Sequence, residues 1–271
     1  MLKRLQEVLQ NIIDGGNATY GVAVYHFETD DYFFHQPDES FYAASIIKVP
    51  IMSAVFDQVE KGRISLSEKM VVRAQDMVTG SGILQNLTPN FDMSIYDLIV
   101  LMIIESDNTA TNMLVDRIGI EAVQQAMREF GMTGCEFHHK LQIMPAKGET
   151  GDNLITARDI TEHMKKIAQG KIVSWNACRH MIGIMKQQKF NDGLPGLLPY
   201  PEGPLGSIPK WEMAHKTGFV PGREHDAGLL YLPGHTFAVS VFGKDIKDRA
   251  DAKRVMSSIG YALYDAAHAH G

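Results

Sequence analysis

Three short segments carry residue types that chemistry can use. In Ser45-Ile46-Ile47-Lys48, a hydroxyl and an amine stand three positions apart. A helix starting near Ser45 puts both on one face, so Lys48 reaches the serine hydroxyl. That hydroxyl is a weak nucleophile until a base takes its proton. A lysine serves as the base when burial or neighbouring positive charge lowers its pKa. In Ser106-Asp107-Asn108, the serine can relay a proton and the aspartate suits loop backbone N–H groups. The Asn108 amide, both donor and acceptor, suits a substrate amide. In His215-Lys216-Thr217-Gly218, a cation and a hydroxyl suit a carboxylate, and the glycine lets ligand backbone approach closely.

Each segment alone also has a plain structural reading. Ser45 could cap a helix beside a solvated lysine, Ser106–Asn108 could cap the helix before Thr109, and Gly218 could end a strand. An S-x-x-K arises by chance about once in a chain this long, but each of the other tripeptides only about 0.03 times. All three in this order come to roughly 10⁻³, which favours the chemical reading.

Competing chemistries lack their residues. The chain has no H-E-x-x-H, no Cys/His cluster at zinc spacing and no G-x-S-x-G, and Val78–Gly82 lacks the lysine of a phosphate loop. His138, His139, His268 and His270 are isolated, and fifteen methionines read as core filler. No metal and no cofactor is expected. Cys135 and Cys178 read as unlinked buried thiols. With 26 Lys+Arg against 32 Asp+Glu the net charge is −6, which argues against a nucleic-acid partner. No 18-residue apolar run exists, so no membrane span is expected. The N-terminus reads as an amphipathic helix (Leu2, Leu5, Leu9, Ile12, Ile13) rather than a signal peptide. The chain as written therefore reads as cytoplasmic; the alternative is a secreted protein whose leader was removed.

The elements that must position these residues follow from pattern. Tyr20–His26 and Tyr32–Phe34 predict a hairpin around Glu28–Asp31. Helical periodicity dominates from about 45 to 205. Strand character returns after Trp211, with Asp226–Leu232 and Thr236–Phe242 joined at Pro233-Gly234, and a last helix runs from about Lys247 to Ala267. The two ends must then pair in one antiparallel sheet. The expected class is α+β: about five strands drawn from both ends, flanked by N- and C-terminal helices, with an inserted all-helical lobe. The whole chain, 1–271, is expected to be one catalytic domain, its sheet lobe about 1–44 and 206–271 and its helical lobe about 45–205. Gly203-Pro204-Leu205-Gly206 is the most linker-like stretch.

S-x-x-K, S-D-N and K-T-G together resemble the class A β-lactamase-like serine hydrolases and penicillin-binding proteins. The likeness extends to Phe41–Pro50, Thr79–Leu84, Leu98–Asn112 and Thr156–Asp159, nearly the whole chain. It implies that Ser45 forms an acyl-enzyme, Lys48 assists as base and Ser106 passes a proton toward the leaving nitrogen. It implies that Asn108 binds a substrate amide and that Lys216 and Thr217 hold a carboxylate, with Gly218 beside them. The backbone N–H groups of Ser45 and Phe219 would form the oxyanion hole, each such donor being worth about 3 kcal/mol. The implied partner is a small molecule bearing a carboxylate, a β-lactam or peptide-like amide. The oligomeric state is left open.

Two features depart from the pattern. The family's E-x-x-L-N loop, whose glutamate activates the deacylating water, is absent, and its expected place falls near Leu141 or Gln142. Glu149 is the only glutamate in that segment and is retained as a candidate base. Arg223 is a candidate second cation for the carboxylate, or else a turn arginine paired with Glu224. Asp226 reads as structural, because His225 and Asp226, adjacent on a strand, face opposite ways. The expected function is a β-lactamase-like serine hydrolase. The alternative is a DD-peptidase, an esterase, an amidase or a slow-turnover penicillin-binding sensor.

Overall fold

The computed structural model describes residues 1–141, 151–204 and 207–268. In chain order the elements begin with α1 (Leu2–Asp14), β1 (Thr19–His26), β2 (Asp31–His35) and β3 (Phe41–Tyr42). Next come α2 (Lys48–Glu60), β4 (Lys69–Val72), β5 (Phe91–Ser94), α3 (Ile95–Ile104), α4 (Asn108–Ile118) and α5 (Ile120–Glu129). The rest are β6 (Leu154–Ile155), α6 (Ala157–Ala168), α7 (Trp175–Met185), β7 (Glu212–Val220), β8 (Arg223–Leu232), β9 (His235–Lys244) and α8 (Arg249–His268). The arrangement is α+β, as the sequence pattern predicts.

The main sheet runs β2-β1-β9-β8-β7, antiparallel throughout. Its centre is the pairing of the two chain ends, with Val22 of β1 opposite Val241 of β9. β1 is buried along nearly its whole length, because both sheet faces are covered. Ala23 and Tyr25 face the helical block. Tyr20, Val22 and Val24 face α1 and α8, where Leu2, Leu5, Leu9 and Ile13 meet Val255, Met256, Ile259 and Leu263. This double burial explains why the alternation in Tyr20–His26 is only partial.

The inserted block is organised around α2, which is buried from Lys48 to Gln58. A helix apolar on all sides belongs inside a bundle, and α3, α4, α5 and α7 surround it. The block is not wholly helical. β4 pairs with β5, and β3 with β6. Strands of two to four residues are too short for a periodic signal to register. Cys135 and Cys178 are free and buried, as expected. Among the described residues no helix is long and apolar enough to cross a membrane.

Candidate active site

The chain reaches Ser45 through β3. The Ala43 N–H donates to Asn153 O at 2.8 Å, and Ala44 takes φ 43°. This left-handed conformation costs a non-glycine residue about 1–3 kcal/mol, which the surrounding packing must hold. It turns the extended chain into a short 3₁₀ turn, Ala44–Ile47, that leads directly into α2. Ser45 thus sits at the start of the block's central helix, with Lys48 one turn further on.

Lys48 is fully buried. Its Nζ lies 3.1 Å from Ser45 Oγ, 3.0 Å from Ser106 Oγ, 2.6 Å from Ser106 O and 2.9 Å from Asn108 Oδ1. All four neighbours are uncharged oxygens. Desolvation therefore pushes the amine well below the ordinary lysine pKa; the charge of Lys216 adds to the effect and Asp107 opposes it.

Ser106 and Asn108 are presented by the turn into α4. Ser106 has φ 53°. Asp107 caps α4, its Oδ1 accepting from Ala110 N at 2.9 Å. Its other oxygen accepts from Ile83 N at 2.7 Å and Leu84 N at 2.8 Å. One buried carboxylate thereby fixes both the helix start and the loop facing it. Asn108 N donates to Ser81 O at 3.0 Å, which closes the loop onto the helix.

β7 forms the opposite wall. A Cβ at Gly218 would stand 3.2 Å from Ser45 N, a tight contact, so glycine there lets the strand lie close to the serine amide without displacing it. Lys216 is fully buried and donates to Thr217 O at 2.8 Å. Burial lowers its pKa to about 7, with Asp226 pulling the other way. Ser45 opens onto two adjoining hollows. The larger, about 410 Å³, is lined by Tyr42, Gly80, Ser81, Asn108, Leu141 and Phe219–Pro221, among others. The smaller, about 260 Å³, adds Ser106, Thr217, Glu224, Arg249 and Lys253.

Residues 4–267 match the sequence profile of the beta-lactamase enzyme family. The chain belongs to that family. Beta-lactamase BRO-1 of Moraxella catarrhalis is 26% identical to it over 96% of this chain and 83% of that protein. The structure of a beta-lactamase from Sphaerobacter thermophilus superposes with a TM-score of 0.89 at 28% identity, covering 98% of each chain. A mutant of PBP-A with a leucine changed to glutamate, solved as an acyl-enzyme complex with penicillin G, superposes with a TM-score of 0.83 at 28% identity. That match covers 99% of this chain and 97% of the other.

Within this beta-lactamase-family fold, Ser45, Lys48, Ser106, Asn108, Lys216, Thr217, Gly218 and Phe219 come together from three places in the chain. Arg223 does not join Lys216. Its guanidinium lies 5.3 Å over the Tyr42 ring, at the rim of the larger hollow. Glu224 pairs with Arg249 instead, Nε to Oε2 at 2.5 Å. Glu149, Gln142, Leu205, Gly206 and His270 lie outside the described residues.

Two cleft residues escaped the sequence reading. Arg249, at the start of α8, stacks 3.8 Å over the Phe219 ring and lines the hollow beside Thr217. It stands 33 positions beyond Lys216, so no local spacing could have revealed it. In the sequence, Leu141 marks only the neighbourhood where the family's glutamate is missing. Asn112 holds it by both backbone groups: Leu141 N donates to Asn112 Oδ1 at 2.8 Å, and Asn112 Nδ2 donates to Leu141 O at 2.6 Å. Asn112 lies one turn after Asn108 on α4, a spacing visible in the sequence.

Proposed function

We propose that this protein is a serine hydrolase that takes the acyl group of a β-lactam, or of a related amide bearing a carboxylate, onto Ser45 and releases it slowly. The observation that carries this reading is the surroundings of Lys48 Nζ. A neutral amine has two N–H donors and one lone pair. The donors suit the two carbonyl oxygens, Ser106 O and Asn108 Oδ1, and the lone pair suits the Ser45 hydroxyl proton. Burial favours that neutral form. Lys48 takes the proton as Ser45 Oγ attacks the carbonyl carbon. The oxyanion develops beside the Ser45 and Phe219 amides, where backbone donors stabilise it. Ser106 Oγ, 3.0 Å from Lys48 Nζ, passes the proton on to the departing nitrogen. Lys216 and Thr217 hold the substrate carboxylate, and Asn108 its side-chain amide.

Leu141 supports slow release. Hydrolysis of the ester needs a base for water. Among the described residues, no carboxylate lines the larger hollow, and leucine cannot accept a proton. The two carboxylates of the smaller hollow are engaged, Glu224 by Arg249 and Asp192 by Lys253.

The test is intact-mass analysis after mixing with penicillin G. Wild type should carry a covalent adduct that outlasts removal of free penicillin, and Ser45→Ala should carry none. Leu141→Glu should shorten the adduct lifetime by about 10²-fold or more, the usual worth of a positioned base. Absence of both adduct and penicillin loss would sink the reading. Rapid turnover by wild type without an adduct would sink the slow-release part alone.

A further inference from the structure

At the far end of the sheet, β1 finishes against the start of β9. Lys216 lies level with Ala227 and Ser240, and His235 stands five positions further along β9. At about 3.3 Å per residue, that is some 17 Å beyond the lysine, with β8 between the two strands. Three side chains converge there. His26 Nε2 lies 3.0 Å from His235 Nδ1 and 3.0 Å from Glu28 Oε2, and one donor atom from each of the three residues lies within 4.8 Å of the other two. Among the described residues this is the only group of three or more His, Cys, Asp or Glu side chains so arranged.

The proton count makes the convergence unusual. Thr29 Oγ1 donates to Asp31 Oδ2 at 3.0 Å, and its lone pairs face His26 Nδ1 at 2.7 Å. Having spent its only proton, Thr29 must accept the Nδ1–H of His26. The His26 Nε2 then carries a lone pair when the ring is neutral. One proton, from His235 Nδ1, can satisfy that lone pair. The Glu28 oxygen still faces it at 3.0 Å with no proton between them. A second proton would make His26 an imidazolium, which is costly at a fully buried side chain. A cation resolves the conflict without one.

We propose that His26 Nε2, His235 Nδ1 and Glu28 Oε2 form a binding site for a divalent transition-metal ion of the zinc type. Two imidazoles and one carboxylate are an ordinary zinc donor set, and three protein ligands leave a fourth position for water. Bonds of about 2.0–2.2 Å hold tetrahedral ligands about 3.3–3.5 Å apart, so the two edges that meet at His26 Nε2 need to open by only a few tenths of an ångström. On binding, the ion replaces the proton shared by the two rings, and that proton leaves to solvent or to His235 Nε2. Outer contacts already orient the ligands. The Thr29–Asp31 relay fixes the His26 ring, Phe237 stacks on it at 4.6 Å, and Thr236 N donates to Glu28 Oε2 at 2.9 Å. His26 is buried, whereas Glu28 is 39% exposed, so the ion enters from solvent. Bound there, it would tie the hairpin β1–β2 to β9.

The untagged full chain is dialysed against zinc sulfate, then against metal-free buffer, and its zinc is counted by atomic emission. Cobalt(II) replaces zinc in a parallel titration followed by visible absorption. Wild type should retain about one zinc per chain and give the intense absorption of tetrahedral cobalt. Glu28→Gln and His235→Ala, both at the partly exposed mouth, should each weaken binding about tenfold or more. Zinc should also raise the melting temperature of wild type and not that of the double variant. Retention by wild type no greater than by the double variant overturns the proposal. Should the variants fail to fold, wild type showing neither a melting shift nor tetrahedral cobalt absorption overturns it equally.

Discussion

Lys48 and Lys216 lie wholly inside the protein, and the charge of one lowers the pKa of the other. The proposed chemistry asks opposite things of them: Lys48 must be neutral to take a proton, and Lys216 must be charged to hold a carboxylate. Lys216, at about 7, loses its charge as pH rises through neutrality. The second-order rate of acylation by penicillin G should therefore fall as pH rises above about 7 and Lys216 loses its charge. Stopped-flow measurement across pH checks this. In Lys216→Arg the falling limb should move out of the accessible range, since arginine keeps its charge. Stability should respond with a defined sign. Between about pH 7 and 10 the unfolded chain binds more protons than the folded one at Lys216, so this group makes stability rise with pH across that window.

At the scale of elements, one aspartate organises the turn that presents Ser106 and Asn108. Asp107 caps α4 and also takes the N–H groups of Ile83 and Leu84. Asp107→Ala removes a helix cap and strands two loop donors, one of them buried, for a loss of about 2–4 kcal/mol in urea unfolding. Acylation should slow as well, because the 79–84 loop and Asn108 line the same hollow. Asp107→Asn should recover only part of the stability, because its one amide oxygen can serve either Ala110 N or the loop donors, and its NH2 then faces the N–H groups left over. The roles open to the Ser106–Asn108 turn in the sequence are thus not exclusive: Asp107 caps the helix and its two neighbours face Lys48.

At the scale of the whole molecule, the site depends on layers that never touch substrate. Asp226 of β8 accepts from Leu194 N at 2.8 Å and faces His215 Nδ1 at 2.8 Å, next to Lys216. The Leu194 backbone in turn lies against α8, where a Cβ on Gly260 would stand 2.0 Å from Leu194 O. Gly260→Ala must push α8 off that loop. We expect a loss of about 1–3 kcal/mol or more by thermal unfolding. The acylation rate should also fall, because α8 carries Arg249 to the Phe219 ring.

Periodicity and motif spacing were enough to read α1, the β1–β2 hairpin, β8, β9, α8 and the pairing of the two ends, because amphipathic patterns are local and both ends carry strands. They were also enough to single out Ser45, Lys48, Ser106, Asn108 and Lys216, whose chemistry depends on residue type. Only the tertiary structure decided that Arg249 rather than Arg223 lines the hollow beside Thr217, that Leu141 is pinned in the cleft wall, and that His26 meets His235. These contacts join residues brought together by the packing of α8, by the hold of α4 on Leu141 and by the closing of β1 against β9. Sequence distance carries no record of these.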